Sequence, residues 1–367
     1  MTTQLDAHRY GLEVGTPPVG SVGPITFGPE GILFVADNSS ATIFAVDVAD
    51  GEVLPAPVQV DDVDSRLAAF LGCPREDVFI RDMAIHPSSH AVYLSLMRGS
   101  GDAAVPVIVR VGAGGELSEV PLEDVPYAST AIADAPAADD ERVDGRVVPP
   151  NETDAEVFER NGIVLKVKRD PLRTATVTDL VYADGVLLVA GASNEEFVST
   201  LRRIPFPFTA GASSSSLEIF HVSHGKYETH SPIRTFVPYG GDSVLAAYTC
   251  TPVVRFSLSD LRSGEQAKGT TVAELGPMNT PLDMVSYTRD GEEYLLVSNV
   301  RHPLMKIACR DIEAQEPLTT PTEPVGVPRE ELAHEGVRNL AAVNGNVVML
   351  QWIDDGLHLR SYPTASL

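Results

Sequence analysis

One pattern constrains the fold of this 367-residue chain more than any other. A short extended segment, a turn, an apolar strand, a polar break and a further strand recur along its whole length. The first unit runs Pro24–Phe27, turns at Gly28–Gly31, continues through Ile32–Ala36, breaks at Asp37 and Asn38, and resumes at Thr42–Val46. The second runs Arg81–Ile85, turns at His86–His90, continues through Val92–Leu96, breaks at Met97 and Arg98, and resumes at Val105–Val111. The third opens at Thr178–Tyr182 and turns at Asp184–Gly185; later units open at Arg234–Phe236, Leu282–Val285 and Arg338–Ala341. Short runs rich in β-branched residues, bounded by Gly, Pro, Asp and Asn, mark strands rather than helices. A period of about 45–60 residues of this kind predicts an all-β chain folded as a single β-propeller over residues 1–367, with six blades and seven as the alternative.

Length alone would suggest two or more domains, but a propeller grows by adding blades around a ring without thickening any one core. The only helical stretch is expected near Ser65–Leu71. Residues 125–160, rich in Ala, Asp, Glu and Pro, are expected to form a long, flexible insertion, since that composition buries little apolar surface.

Acidic residues outnumber basic ones 51 to 27, giving a formal net charge of −24. Such a surface repels phosphates and anionic lipid, so nucleic acid and membrane are excluded as partners. No run approaches the roughly 18 apolar residues of a spanning segment. Cys73, Cys250 and Cys309, odd in number and widely spaced, argue against a disulfide framework. The opening residues lack a basic and apolar leader, and the expected location is cytoplasmic. Nucleophile elbows, phosphate-binding glycine loops, Cys-x-x-Cys pairs and His-Glu-x-x-His are all absent from the sequence.

The string Gly23-Pro-Ile-Thr-Phe-Gly-Pro-Glu-Gly-Ile-Leu-Phe-Val-Ala-Asp-Asn38, followed by Ile43-Phe-Ala-Val-Asp47, resembles a blade of the propeller group containing gluconolactonases, strictosidine synthase and paraoxonases. The resemblance is close over this blade and one of pattern elsewhere. It implies that innermost strands begin at the mouth where substrates bind, and that the break between second and third strands returns there. On that basis Arg81, Asp82 and Asp283 face the mouth from strand starts, and Arg98, Asn194, Cys250, Asn299 and His302 from the breaks. The aspartates have an alternative role, as acceptors for buried backbone amides between blades. The lactonases of the group hold a divalent cation with a first-blade Glu and later Asn and Asp residues. Here Ser21–Pro24 lacks the Glu, so calcium on Asp283 with Asn194 or Asn299 is less favoured than a transition metal.

The stretch Phe220–Arg234 holds His221, His224 and His230, and Cys250 lies in the next polar break. Imidazoles and a thiolate on one rim suit copper or zinc. Arg81, Arg98, Arg234, Arg301 and Arg338 suggest a positive throat for a small anionic molecule, the alternative being pairing with aspartates across blade seams. The leading expectation is a metal-dependent enzyme. Its metal would sit on His221, His224 and Cys250, with His230 and His302 as further ligands. Substrate would be oriented by Arg234 and Arg98 and bound by Arg81, Asp82, Asn194, Asp283 and Asn299, and protons moved by Tyr227 or Glu228. Copper would give redox chemistry and zinc hydrolysis. A non-catalytic scaffold for a protein or peptide, and a lactonase-like calcium hydrolase, are the alternatives.

Overall fold

The computed structural model describes residues 10–51, 53–54, 57–152, 154–160, 162–209, 211–250, 252–320 and 325–367. Each unit opening is the innermost strand of an antiparallel sheet: Ile25–Phe27 (sheet I), Val78–Ile85 (II), Asp179–Ala183 (III), Thr235–Tyr239 (IV), Pro281–Arg289 (V) and Val337–Val343 (VI). Second strands such as Ile32–Asp37 and Val186–Ala192 are buried on both faces, which is why they read as continuous apolar runs. The helix expected near Ser65–Leu71 spans Val63–Leu71, and Cys309–Ala314 adds a short one that the strand pattern did not reveal.

The innermost strands of sheets I–VI touch one another in a closed cycle, so the chain is an all-β propeller. The cycle does not follow the sequence. Its order is I, II, VI, V, IV, III and back to I, with sheet II lodged between I and VI. After Thr42–Asp47 the chain runs to the outer edge of sheet VI, where Val60 bridges Leu359. The helix Val63–Leu71 then packs against Gly356–Pro363 before sheet II is built. Val58, Val60 and Leu67 share one core with Leu357 and Leu359, so the early crossover covers an apolar strand edge that sheet VI would otherwise leave open. The chain finally returns to sheet I, where Val125–Ala131 pairs with Thr42–Asp47.

That return corrects the expectation of an irregular insertion over 125–160. Val125–Ala131 is an outer strand of sheet I, and Val143–Val148 and Glu156–Arg160 flank Ile163–Pro171 in a separate three-stranded sheet. An outer strand needs only one packed face, so its mixed composition does not betray it. The separate sheet reaches the propeller's inner strands through Asp144, bound to Arg234, and Asn151, bound to Arg338. It lies as a lid over the mouth.

The inner strands cannot ladder with one another, so their amides need other acceptors. Asp82 accepts from the Ile25 amide at 2.8 Å, Asp179 from Phe236 at 2.9 Å and Asp283 from Leu340 at 2.6 Å. The second oxygen of each accepts from the next residue of its own strand, at 2.7 Å in all three cases. The aspartates thus bind sheet II to I, III to IV and V to VI, at alternate seams of the ring. Burial raises Asp82 to about 7, with repulsion from Asp179 adding to it, and Asp179 to about 6. Burial, then repulsion from Asp82 and Asp179, lifts Asp283 well above the ordinary range.

Candidate metal centre and mouth chamber

The outer strand Ser213–His221 ends at His221, and one tight turn, Val222–His224, leads back into Lys226–Glu228. Gly225 closes that turn at φ +63°, a backbone conformation that disfavours a side chain. The hairpin brings His221 and His224 together, with ring centroids 3.9 Å apart. Cys250 approaches from the second-to-third break of sheet IV, held at φ +64° while its amide donates to the Asn279 carbonyl at 2.8 Å. One ligand atom from each of His221, His224 and Cys250 lies within 4.8 Å of the other two.

Glu228 organises the pair. Its two oxygens lie 2.7 Å from His221 Nδ1 and 2.7 Å from His224 Nδ1. Burial alone would raise this carboxyl, but the two imidazole hydrogen bonds outweigh it and leave it at about 2. An ionised carboxylate accepts only, so each Nδ1 carries a proton, and a neutral imidazole so held presents its Nε2 lone pair, the outer-sphere arrangement of metal-binding histidines. His221 Nε2 is buried without a hydrogen-bond partner among the described residues and stands 3.8 Å from the buried Glu274 carboxylate. Burial pushes the Cys250 thiol up, and the Glu274 and Glu228 carboxylates add to the shift. A cation at this point would supply the charge that makes thiolate favourable.

The mouth is a separate feature. Beneath the lid lie two adjoining chambers of about 550 and 610 Å³, whose walls share Phe79, Arg81, Arg146, Thr280 and Leu282. None of His221, His224 and Cys250 lines either chamber. Two short links join the cluster to the wall. Arg234 donates to Thr249 at 3.0 Å, next to Cys250, and Asn279, which fixes the Cys250 amide, precedes Thr280.

The remaining predicted residues divide clearly. Arg81 lines both chambers, as expected. Arg234 lines the larger chamber, as expected, and its guanidinium is held there in a two-pronged pair with Asp144 that fastens the lid; Asp144, which burial would raise, is held low by Arg234 and Arg146. Arg98 is no part of the throat; it is exposed and reaches the Leu71 carbonyl at 3.4 Å. Asp82 and Asp283 are taken up by seam amides rather than by a ligand. Asn194 is exposed in a turn whose amide donates to Asp134 O, and the buried Asn299 accepts from Asn279, one step behind Cys250. Tyr227 is 56% exposed, stacked edge-on against Phe220 on the strand face opposite Glu228, so it is not placed to move protons at the cluster. Glu228 itself is engaged by both imidazoles and, at 3.3 Å, by Lys226. His230 is exposed and hydrogen-bonded to its neighbour Thr229, and His302 sits against Gly276; among the described residues neither joins the cluster. Thr280, Glu274 and Asp144 were not singled out from the sequence, where nothing distinguishes them from other strand-end polar residues.

No family model matches the chain, and no curated protein matches it in sequence. Solved structures similar to it are β-propellers. They include the Cps50 (Swd1) β-propeller domain of Myceliophteria thermophila, at 11% identity over 93% of this chain and 83% of that one, with a TM-score of 0.38. The periplasmic gluconolactonase PpgL of Pseudomonas aeruginosa matches at 12% identity over 96% and 91%, with a TM-score of 0.37. The PQQ-bound aldose sugar dehydrogenase of Streptomyces coelicolor matches at 11% identity over 96% and 99%, with a TM-score of 0.34.

Proposed function

We propose that this propeller is a metal-dependent enzyme acting on a small anionic molecule at its mouth. His221, His224 and Cys250 would hold a copper or zinc ion. The observation that carries the reading is Glu228: one carboxylate is hydrogen-bonded to two adjacent histidines that are clustered with a thiol. Solvated histidines in an ordinary loop have no use for such an arrangement, whereas metal ligands are oriented in this way. Three protein ligands leave a coordination position for an exogenous molecule. The His224 side chain, 47% exposed, gives that position access from the rim.

The donor set of two imidazoles and a thiolate favours copper, and with it electron transfer to or from the bound molecule. A zinc ion on the same residues would activate water instead. In either case Glu228 keeps the imidazoles in register, and Cys250 delivers its proton to solvent as the metal binds. The test is metal titration of chelator-treated protein, followed by His221→Ala, His224→Ala and Cys250→Ser. Tight uptake that falls sharply in both histidine variants supports the reading. Protein that takes up neither metal and still captures a peptide partner would favour the scaffold alternative.

A further inference from the structure

The ring order has a chemical result at the mouth. Because sheet II is lodged beside sheet VI, Arg81 and Arg338 come from adjacent inner strands although 257 positions separate their strand neighbours Asp82 and Asn339, which are hydrogen-bonded. Both arginines line the 550 Å³ chamber under the lid.

Most buried arginines here are fully engaged. Arg202, with 2% of its surface exposed, donates to the Asp134 carboxylate and to the Thr176 and Ala192 carbonyls. Arg234 and Arg146 share Asp144, and Arg146 also pairs with Asp170. Arg81, the exposed residue of its inner strand, differs from all of these. Among the described residues no carboxylate forms an ion pair with it, and its guanidinium lies over the Phe79 ring at 5.8 Å. Among the described residues, Arg338 hydrogen-bonds only to the neutral side chain of Asn151 from the lid. Burial lowers Arg338 to about 10 and also lowers Arg81, with Glu152 offsetting part of the effect from a distance. Two guanidinium groups therefore line one chamber with no carboxylate ion-paired to either among the described residues, while the Glu152 carboxylate of the same wall acts on both through space.

A second observation points into the same space. Thr280 lines both chambers, is 2% exposed, and its hydroxyl has no hydrogen-bond partner among the described residues. A buried hydroxyl left unpaired costs free energy that a ligand oxygen would recover. The same wall carries the apolar side chains of Leu282, Leu350 and Trp352, alongside the charged Asp64, Arg75, Glu76 and Glu152.

We infer that this chamber binds the carboxylate of a small organic acid, with Arg81 and Arg338 as the paired cationic donors, the Thr280 hydroxyl as a third, and the apolar body against Trp352 and Leu282. A planar guanidinium fork matches a carboxylate in two parallel hydrogen bonds, and Trp352 and Leu282 offer an apolar body a surface that a bare, hydrated anion cannot use. The inference deepens the reading that a small anion occupies the mouth and rests on that part of it; it does not depend on the metal.

The experiment is calorimetric titration of the full-length, metal-loaded protein with benzoate, with its uncharged analogue benzamide, and with inorganic phosphate. Benzoate is expected to saturate one site, with benzamide and phosphate each weaker by about tenfold or more. Arg81→Gln and Arg338→Gln should each weaken benzoate by about tenfold or more, while Arg310→Gln, an exposed surface partner of Glu292, leaves it unchanged. Thermal melts of all variants exclude unfolding as the cause. The inference is overturned if benzoate does not bind or binds no better than benzamide, if phosphate equals it, or if the arginine variants bind normally. His224→Ala separates the two readings. Benzoate binding that survives this variant keeps the chamber whatever becomes of the metal centre, and binding lost with the metal assigns the anion to the metal and overturns the chamber.

Discussion

Replacing Glu228 by Gln should weaken metal binding without removing any ligand. Glu228 accepts 2.7 Å hydrogen bonds from both His221 and His224. Glutamine has one acceptor oxygen and one amide nitrogen, so it can accept from one imidazole only. Its NH₂ would face the other Nδ1–H, and that ring must turn or move its proton to Nε2, where the lone pair is needed. Loss of such an outer-sphere partner typically costs 10–100-fold in metal affinity, or about 1.4–2.7 kcal/mol. With two imidazoles depending on one carboxylate, the upper part of that range is expected. Competition for zinc or copper(I) against a chromophoric chelator measures it directly. Global stability of the metal-free variant should change little, because a hydrogen-bonding amide replaces a half-buried carboxylate of the same shape. A Glu228→Gln protein that binds metal as tightly as the parent would refute the argument that this carboxylate sets the ligand geometry.

The aspartates at the seams make a pH prediction. Asp82 titrates at about 7 in the folded chain against an ordinary 3.8, so the native state holds a proton that the unfolded chain has released. Stability from this group is complete at low pH and is lost as pH rises from about 4 through about 7. Denaturant midpoints at pH 5.5 should therefore exceed those at pH 8, and Asp82→Asn should shrink the difference; an unchanged pH dependence would contradict it. Asp283→Asn should destabilise by about 1–3 kcal/mol, since one amide of the Met284 and Leu340 pair then lacks an acceptor. Asp144→Ala strands the buried Arg234 and should cost about 3–5 kcal/mol, read as protease cutting within 143–171 before the ring unfolds. The double change Asp144→Leu with Arg234→Met should recover much of that loss, and a double variant as weak as the single one would argue against the pair as the lid's fastening.

The strands of the ring were legible because each opening segment alternates and each second strand is a continuous apolar run between turn residues. The His221, His224 and Cys250 grouping was legible for a related reason: a hairpin turn and the next polar break both belong to the same rim. What the sequence hid are matters of pairing at long range. Nothing local distinguishes Val60 as the partner of Leu359, and so nothing revealed that sheet II sits between I and VI. Without that order, Arg81 and Arg338 had no reason to meet. The lid was misjudged for want of an apolar pattern, because its strands are held largely by charge, as in Arg146 with Asp144 and Asp170. The pairing of Arg234 was hidden for the same cause, its partner Asp144 lying 90 positions away.

The metal centre is tested most directly by elemental analysis of protein purified without added metal, alongside its variants. The account predicts about one equivalent of copper or zinc per chain, lost in His221→Ala and His224→Ala. Metal should be retained in His90→Ala and His358→Ala, since neither residue belongs to the cluster. Less than about a tenth of an equivalent in the parent protein, with no tight uptake on titration, would contradict the central claim.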